Sequence, residues 1–209
     1  ERPIAAALGI GLPFEKTYGT MVVDIGAGAM DAAVLSMGQI AISNTVPFGG
    51  DQFDDAIIKY LRRKYNLLVG ERTAEDIKCT IGAAYPKPQE EYMEVRGRDL
   101  HTGLPKNIKI TSSEVTEALA EPLSAIVGAI TETLEQTPPE LAADVMDKGI
   151  VLTGGGALLG GLDRRIKIET GLQVKVAENP LDCVAIGAGR CLEDAALRRL
   201  VYRNRNMTA

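Results

Sequence analysis

Apolar residues recur along the chain in two alternating rhythms. Met21-Val22-Val23 runs into Asp24-Ile25, and Ala32-Ala33-Val34-Leu35 follows a short glycine-bearing turn. Such short apolar runs bounded by turn residues predict buried strands over about 20–25, 31–36 and 39–46, with a turn at Ser36-Met37-Gly38-Gln39. Before them, residues 3–9 predict a short helix with Pro3 in its first turn, stopped by Gly9, Gly11 and Pro13. After them, Phe53, Ile57, Ile58, Leu61 and Tyr65 fall on one helical face, with Asp51 as the expected N-cap and an end near residue 66. A second helix is expected over about 74–84, capped by Thr73.

Residues 89–110 change character. Glu90 to Arg96 and Ile108 to Ile110 predict the strands of an exposed, charged hairpin. Thr111 and Glu114 then form a capping box ahead of Val115, Leu119, Leu123, Ile126, Val127, Ile130 and Leu134. Pro122 inside that run predicts a kink or two consecutive helices. A short helix over 140–147, a buried strand over 149–153, a helix over about 159–170, a strand at 174–176 and a final helix from Pro180 to about Leu197 complete the chain. The basic tail from Tyr202 is expected to fray. Three meandering strands followed by alternating strands and helices predict an α/β fold: a mixed sheet flanked by helices, with a small α+β piece inserted at about 48–112.

Composition narrows the class. With 209 residues, 45% hydrophobic and 24% charged, the chain has enough apolar mass for one or two packed domains. A net charge of −5 and no basic block outside the C-terminus argue against a nucleic acid partner. No apolar run approaches the ~20 residues needed to span a bilayer. The opening Glu1-Arg2-Pro3 lacks both an initiator Met and a leader pattern, as expected of a fragment or a processed chain. Cys79, Cys183 and Cys191 share no metal-ligand spacing, and with His101 the single histidine, a zinc site is not expected. Reduced thiols in a cytosolic protein are the simplest account, and His101 is expected in a surface loop.

The candidate chemistry lies at glycine-rich turns. A carboxylate at the end of a buried strand, Asp24, precedes Gly26-Ala27-Gly28-Ala29, where backbone N–H groups can approach a phosphate and its Mg²⁺. The same residues also suit a plain hairpin turn with a surface aspartate. Thr153 leads into Gly154-Gly155-Gly156-Ala157-Leu158, which permits close approach of a nucleoside or is simply a tight strand-to-helix connection. Neither turn fits a P-loop or a single-unit G-x-G-x-x-G. Glu75 and Lys78, three apart, share a helix face and either bracket a ribose and base edge or form an exposed ion pair.

Together these residues carry a resemblance. Asp24-Ile25-Gly26-x-Gly28 resembles the second phosphate loop of the actin, heat-shock chaperone and sugar kinase superfamily, and Thr153 to Leu159 resembles its adenosine loop. Glu1-x-Pro3-x-Ala5-Ala6-Ala7 and Asn179 to Gly187 resemble its two connecting segments. Pro47-Phe48-Gly49-Gly50-Asp51-x-Phe53-Asp54, Glu94 to Pro105, Glu121-Pro122-Leu123 and Pro138 to Leu141 are most similar to the MreB family of bacterial actins. The resemblance implies the second half of an actin-like ATPase fold, RNase H-like, with 1–47 and 113–209 as subdomain IIA and 48–112 as the inserted IIB. It implies ATP or ADP as cofactor, with Mg²⁺ held through water by Asp24. The backbone of Gly26, Ala27, Gly28 and Ala29 would hold phosphates, Glu75 and Lys78 would contact ribose and adenine, and Gly155, Gly156, Ala157 and Leu158 would pack on the adenosine.

The same resemblance implies a cytoskeletal role: self-assembly into head-to-tail filaments that scaffold cell-wall synthesis and set rod shape. The expected location is cytoplasmic, at the inner face of the membrane. Membrane contact would come only through a missing half or through partners, namely a membrane-anchored adaptor and cell-wall synthesis proteins. Two other readings stand beside it: a nucleotide-free half acting only as an interaction module, and a chaperone or sugar kinase of the same superfamily. The phosphate loop departs from the family's usual Asp-Ile-Gly-Gly-Gly-Thr-Thr-Glu. Ala27 replaces a glycine, Ala29 and Met30 replace both threonines, and Asp31 replaces the glutamate. Thr80 also stands where a glutamate is usual. With these hydroxyl donors gone and half the site absent, the expectation for hydrolysis is weakness or loss, and no catalytic residue is assigned.

Overall fold

A computed structural model describes residues 1–13, 15–195 and 197. The expected basic tail from Tyr202 lies outside the described residues. Five strands form the main sheet: β1 (Thr20–Ile25), β2 (Met30–Ser36), β3 (Gln39–Val46), β7 (Ile150–Thr153) and β8 (Val174–Val176). Their order is β3-β2-β1-β7-β8. β2 runs antiparallel to both β1 and β3, while β7 pairs parallel with β1 and β8 parallel with β7. A second sheet holds β4 (Leu67–Leu68), β5 (Tyr92–Asp99) and β6 (Pro105–Thr111).

Side-chain alternation along β1 and β2 divides the core. Met21, Val23, Ile25, Met30, Ala32 and Val34 face a large cluster. Into it pack α2 (Gly50–Tyr65), α3 (Glu71–Ile81), α4 (Ser112–Ala118), α5 (Ala120–Glu135), α6 (Pro139–Lys148) and α7 (Leu162–Thr170). Val22, Ala33 and Leu35 face the other way, onto α1 (Arg2–Ile10), which packs with α8 (Cys183–Glu193). A sheet buried on both faces explains why β1 and β2 are continuous apolar runs, while the edge strand β3 alternates exposed and half-buried positions.

The structure redraws several boundaries. The long apolar run after Thr111 is two helices, α4 and α5, broken at Leu119, so that Pro122 falls in the first turn of α5, where a missing N–H costs nothing. The capping box forms: the Glu114 N–H donates to Thr111 Oγ1 (3.2 Å) and the Thr111 N–H to Glu114 Oε2 (2.8 Å). Gly49, not Asp51, caps α2; its N–H donates to Gln52 Oε1 at 2.7 Å, and Asp51 sits in the first turn. The second helix starts at Glu71 after Gly70, earlier than the Thr73 cap predicts, and ends before Gly82. The hairpin strands are longer than expected. The two-residue β4, too short to show a period, pairs Leu67 and Leu68 with Asp99 and Arg98. The helix expected over 159–170 begins only at Leu162 as α7, after a 3₁₀ turn over Gly155–Leu158, and the last helix starts at Cys183 and ends at Glu193.

The α1–α8 crossing is in backbone contact. A Cβ on Gly187 would lie 1.7 Å from the Ala5 carbonyl oxygen, and one on Gly9 1.8 Å from that of Cys183. Gly189, two residues along α8, has nothing within 4 Å. Urea unfolding should therefore separate the two positions. Gly187→Ala is expected to cost about 2–3 kcal/mol through overpacking, while Gly189→Ala should be neutral or stabilising by up to about 1 kcal/mol.

Candidate functional site

Parallel pairing places Asp24 opposite Thr153 at the carboxyl ends of β1 and β7. The Thr153 hydroxyl donates to Asp24 Oδ1 at 2.8 Å, and both residues are buried, Asp24 at 3% exposure. Burial pushes the Asp24 carboxyl above its ordinary range; the Thr153 hydrogen bond and the Arg2 charge oppose that shift, and Asp31 adds to it. Asp31 is Asp24's antiparallel register partner on β2 and is itself 7% exposed. Its Oδ1 accepts from the Thr45 hydroxyl at 2.5 Å, and its Oδ2 pairs with Arg2 at 2.6 Å. Two carboxylates therefore sit side by side at one end of the sheet, with a guanidinium as counter-charge.

The turn from Gly26 to Ala29 closes on itself and on α2. The Gly26 N–H donates to the Ala29 carbonyl at 3.0 Å. The Gly26 and Ala27 carbonyls accept from the Gly50 and Asp51 N–H groups at 3.0 and 2.8 Å. The loop thus supplies acceptors for orphan donors of the helix start, while Ala27 and Gly28 at its tip stay exposed. Met30 is fully buried in the large core cluster.

The second turn is pressed onto the first strand. A Cβ on Gly154, whose φ is +79°, would meet the Ile25 carbonyl oxygen at 2.3 Å, and one on Gly156 would meet Ile25 Cγ2 at 2.2 Å. Close packing alone thus requires glycine at these two positions. Gly155 has more room, its nearest neighbour being Leu181 Cδ2 at 3.1 Å. The Gly154 N–H donates to the Pro180 carbonyl at 2.8 Å, which ties the turn to the segment leading into α8. Ala157 is buried and Leu158 exposed.

Lys78 and Glu75 differ in their surroundings. Lys78 Nζ lies 3.0 Å from Asp54 Oδ2 and donates to the Gly50 carbonyl at 3.2 Å, so α3 is joined to the first turns of α2 beside the loop. Burial raises the Asp54 carboxyl above its ordinary range, and Lys78 opposes the rise. Glu75 is exposed. Arg2 and Asp54 are site neighbours to which the sequence gives no role, and Thr153 and Asp31, though inside the motifs read from sequence, gain their partners only in the fold. Their partners lie 129, 29 and 24 residues away, and only the strand register and the helix packing bring them together. A separate cavity of about 360 Å³, lined by residues including Phe48, Gln52, Tyr60, Glu117 and Pro122, includes none of the predicted site residues.

Residues 1–199 match the family described as MreB/Mbl protein. The cell shape-determining protein MreB of Escherichia coli (strain K12) is 54% identical over 193 residues, 92% of this chain and 56% of the relative. The cell shape-determining protein Mbl of Bacillus subtilis (strain 168) is 50% identical over 194 residues, 93% of this chain and 58% of the relative. The chain thus spans little more than half the length of the curated relatives it matches. The crystal structure of MreB5 of Spiroplasma citri bound to ADP superposes with a TM-score of 0.91 at 39% identity, covering 97% of this chain and 61% of that one. The same protein bound to AMPPNP matches at 0.91 and 38%, covering 98% and 61%. The MamK double helical filament, 22% identical with a TM-score of 0.75, covering 93% of this chain and 59% of that one, shares the fold. The actin-like α/β fold expected from the sequence is the fold observed.

The raised Asp24 carboxyl has a signed consequence. A carboxyl whose folded pKa lies above its unfolded one favours the folded state fully below the ordinary carboxylate range, and that contribution is lost as pH rises through the folded value. At neutral pH its ionised form is a cost. Asp24→Asn is therefore expected to leave stability unchanged or raise it by up to about 1 kcal/mol at neutral pH, with the advantage shrinking on acidification. Denaturant midpoints followed across the acidic range would check this. Thr153→Val, which removes the donor and leaves the carboxylate buried, should cost about 1–3 kcal/mol.

Proposed function

The chain belongs to the MreB/Mbl family, and we propose that it carries one wall of an ATP/ADP cleft whose occupancy governs head-to-tail self-assembly into cytoskeletal filaments. The observation that carries this reading is the convergence of Asp24, the exposed Ala27–Gly28 tip and the Gly155–Leu158 turn at the carboxyl ends of β1 and β7. Ligands of α/β sheets collect at that edge, and two structures of the similar MreB5 were solved with ADP and AMPPNP. We take residues 1–47 and 113–209 as the larger subdomain and 48–112 as the inserted one.

Each candidate residue has a distinct task in this reading. The loop from Gly26 to Ala29 meets the phosphates with backbone N–H groups at its tip, since Gly26's own is committed to Ala29. Gly155, Gly156, Ala157 and Leu158 offer a flat backbone surface to the adenosine. Glu75 is exposed and available to a ribose hydroxyl, while Lys78 reaches the nucleotide only by exchanging its Asp54 partner.

The donor set fits Mg²⁺ in one way. Among the described residues no three carboxylate, cysteine or histidine side chains converge on a metal position. Asp24, however, commits only Oδ1 to Thr153 and suits a water-bridged contact through Oδ2. When bound, Mg²⁺ would offset phosphate charge; Asp24 would fix its position through that water. The reading concerns binding rather than hydrolysis. Met30 is buried in the core and Ala29 has no hydroxyl, so neither supplies the donor that the family's threonines supply at the loop.

Partners follow from the same family membership. The filament would lie in the cytoplasm at the inner face of the membrane, engaging a membrane-anchored adaptor and cell-wall synthesis proteins. Among the described residues no helix is long and apolar enough to cross a membrane. Titration calorimetry of the 209-residue chain with Mg-ATP tests the cleft, and a Kd on the order of 0.1–1 mM is expected, because one wall makes few of the contacts that offset ordering costs. Co-sedimentation with filaments of an MreB relative tests assembly, and the chain is expected in the pellet. Absence of both signals would leave a purely nucleotide-free interaction module as the better account.

A further inference from the structure

We propose that the Arg2 guanidinium is a built-in phosphate-binding cation at this loop, so that nucleotide binding by this wall persists largely without a divalent metal. The inference rests on the nucleotide-cleft reading above. Its basis is the position of Arg2. One guanidinium nitrogen, Nη2, lies 2.6 Å from Asp31 Oδ2. The other, Nη1, lies 3.4 Å from where a Cβ of Gly26 would stand, so the planar group spans from β2 to the first glycine of the phosphate loop. The side chain remains 44% exposed, which leaves N–H donors open to a ligand.

The surrounding acceptors support the same assignment. Asp31 Oδ1 accepts the Thr45 hydroxyl; its Oδ2 is buried, meets Arg2 Nη2 at 2.6 Å as an ion pair, and has no aligned hydrogen bond. Asp24 has Oδ1 engaged by Thr153. Only one carboxylate oxygen of the pair is therefore left for a metal-bound water, while a fixed cation already stands beside the loop. A guanidinium presents paired N–H donors that match phosphate oxygens in a fork, and it cannot lose its proton. Its Asp31 partner fixes its aim without using all of its donors. A phosphate arriving at the Gly26–Ala29 tip would thus meet a positive group that the fold itself supplies.

The test is NMR titration of the loop amides of the 209-residue chain with ADP, in excess Mg²⁺ and again in EDTA. This readout does not depend on turnover and tolerates weak binding. Metal removal is expected to weaken wild-type binding by no more than about threefold, a small change on the scale set by charge-assisted phosphate contacts. Because Arg2→Ala alone leaves a buried Asp31 charge that can impair folding, the informative variant is Arg2→Ala with Asp31→Asn. Its affinity in EDTA should fall about tenfold below wild type, the loss expected of one such contact. Asp31→Asn alone keeps the guanidinium and should bind in EDTA as wild type does or more tightly. Arg2→Lys, a point charge without the fork, should fall between. Wild-type binding that collapses in EDTA, or a double variant that binds in EDTA like wild type, would overturn the role of Arg2 and leave the cleft reading standing. Loop amides that shift under neither condition would overturn the cleft reading itself, and the inference with it.

Discussion

The parallel pairing of β1 with β7 is the constraint on which the rest of the site depends. It joins segments about 130 residues apart and sets Asp24 level with Thr153. Every later feature inherits that register. The turn after β1 and the turn after β7 leave the sheet at the same edge, and the second lies against Ile25 so closely that Gly154 and Gly156 admit no side chain. A slip of one residue would turn Asp24 toward the large core cluster and Val23 toward α1. The apolar residues facing opposite clusters on successive β1 positions make that slip costly, so the hydrophobic pattern and the polar site enforce one another.

The site is bought with burial of charge. Asp24 and Asp31 are neighbours across two strands, both nearly removed from water, and each is retained by specific donors rather than by solvent. Unpaired carboxylates in that position would be strongly unfavourable. Arg2 from α1 and the hydroxyls of Thr45 and Thr153 come from three different elements. The packing of α1 against the sheet is therefore part of the electrostatics of the site as well as of the core. The backbone contact between α1 and α8 at Gly9 and Gly187 holds Arg2's helix in place, which links a tolerance of a few tenths of an ångström there to charge balance beyond the end of β1.

What was legible in the sequence divides along physical lines. Elements defined by periodicity or by local capping were readable: the three first strands, the α2 face, and the Thr111–Glu114 box, which forms as its spacing requires. Asp24 and the two glycine turns could be nominated because strand-end carboxylates and glycine runs are local signals. What stayed hidden was set by contacts distant in sequence. The two residues of β4 have no period and exist because β5 offers an edge beside them. The break at Leu119 comes before the proline that marks it in sequence. Thr153 as Asp24's donor, Arg2 as Asp31's partner and Asp54 as Lys78's partner each require knowledge of register or helix packing, and no local pattern encodes them.

The Gly26–Ala29 loop is also the cap of a helix. The Gly26 and Ala27 carbonyls accept from the first N–H groups of α2, and Lys78 on α3 holds the Gly50 carbonyl and the Asp54 carboxylate of the same helix start. A loop that serves as a helix cap cannot move alone: displacing its carbonyls leaves donors of α2 without acceptors, at about 1 kcal/mol or more per lost bond. The cheaper response is for α2 to follow, and α3 with it through Lys78. The helices of the 48–112 segment are thus mechanically joined to the loop at the end of β1, without a long chain of intermediates between them. Any ligand that draws the loop toward itself acts on that segment directly, through two backbone hydrogen bonds and one ion pair.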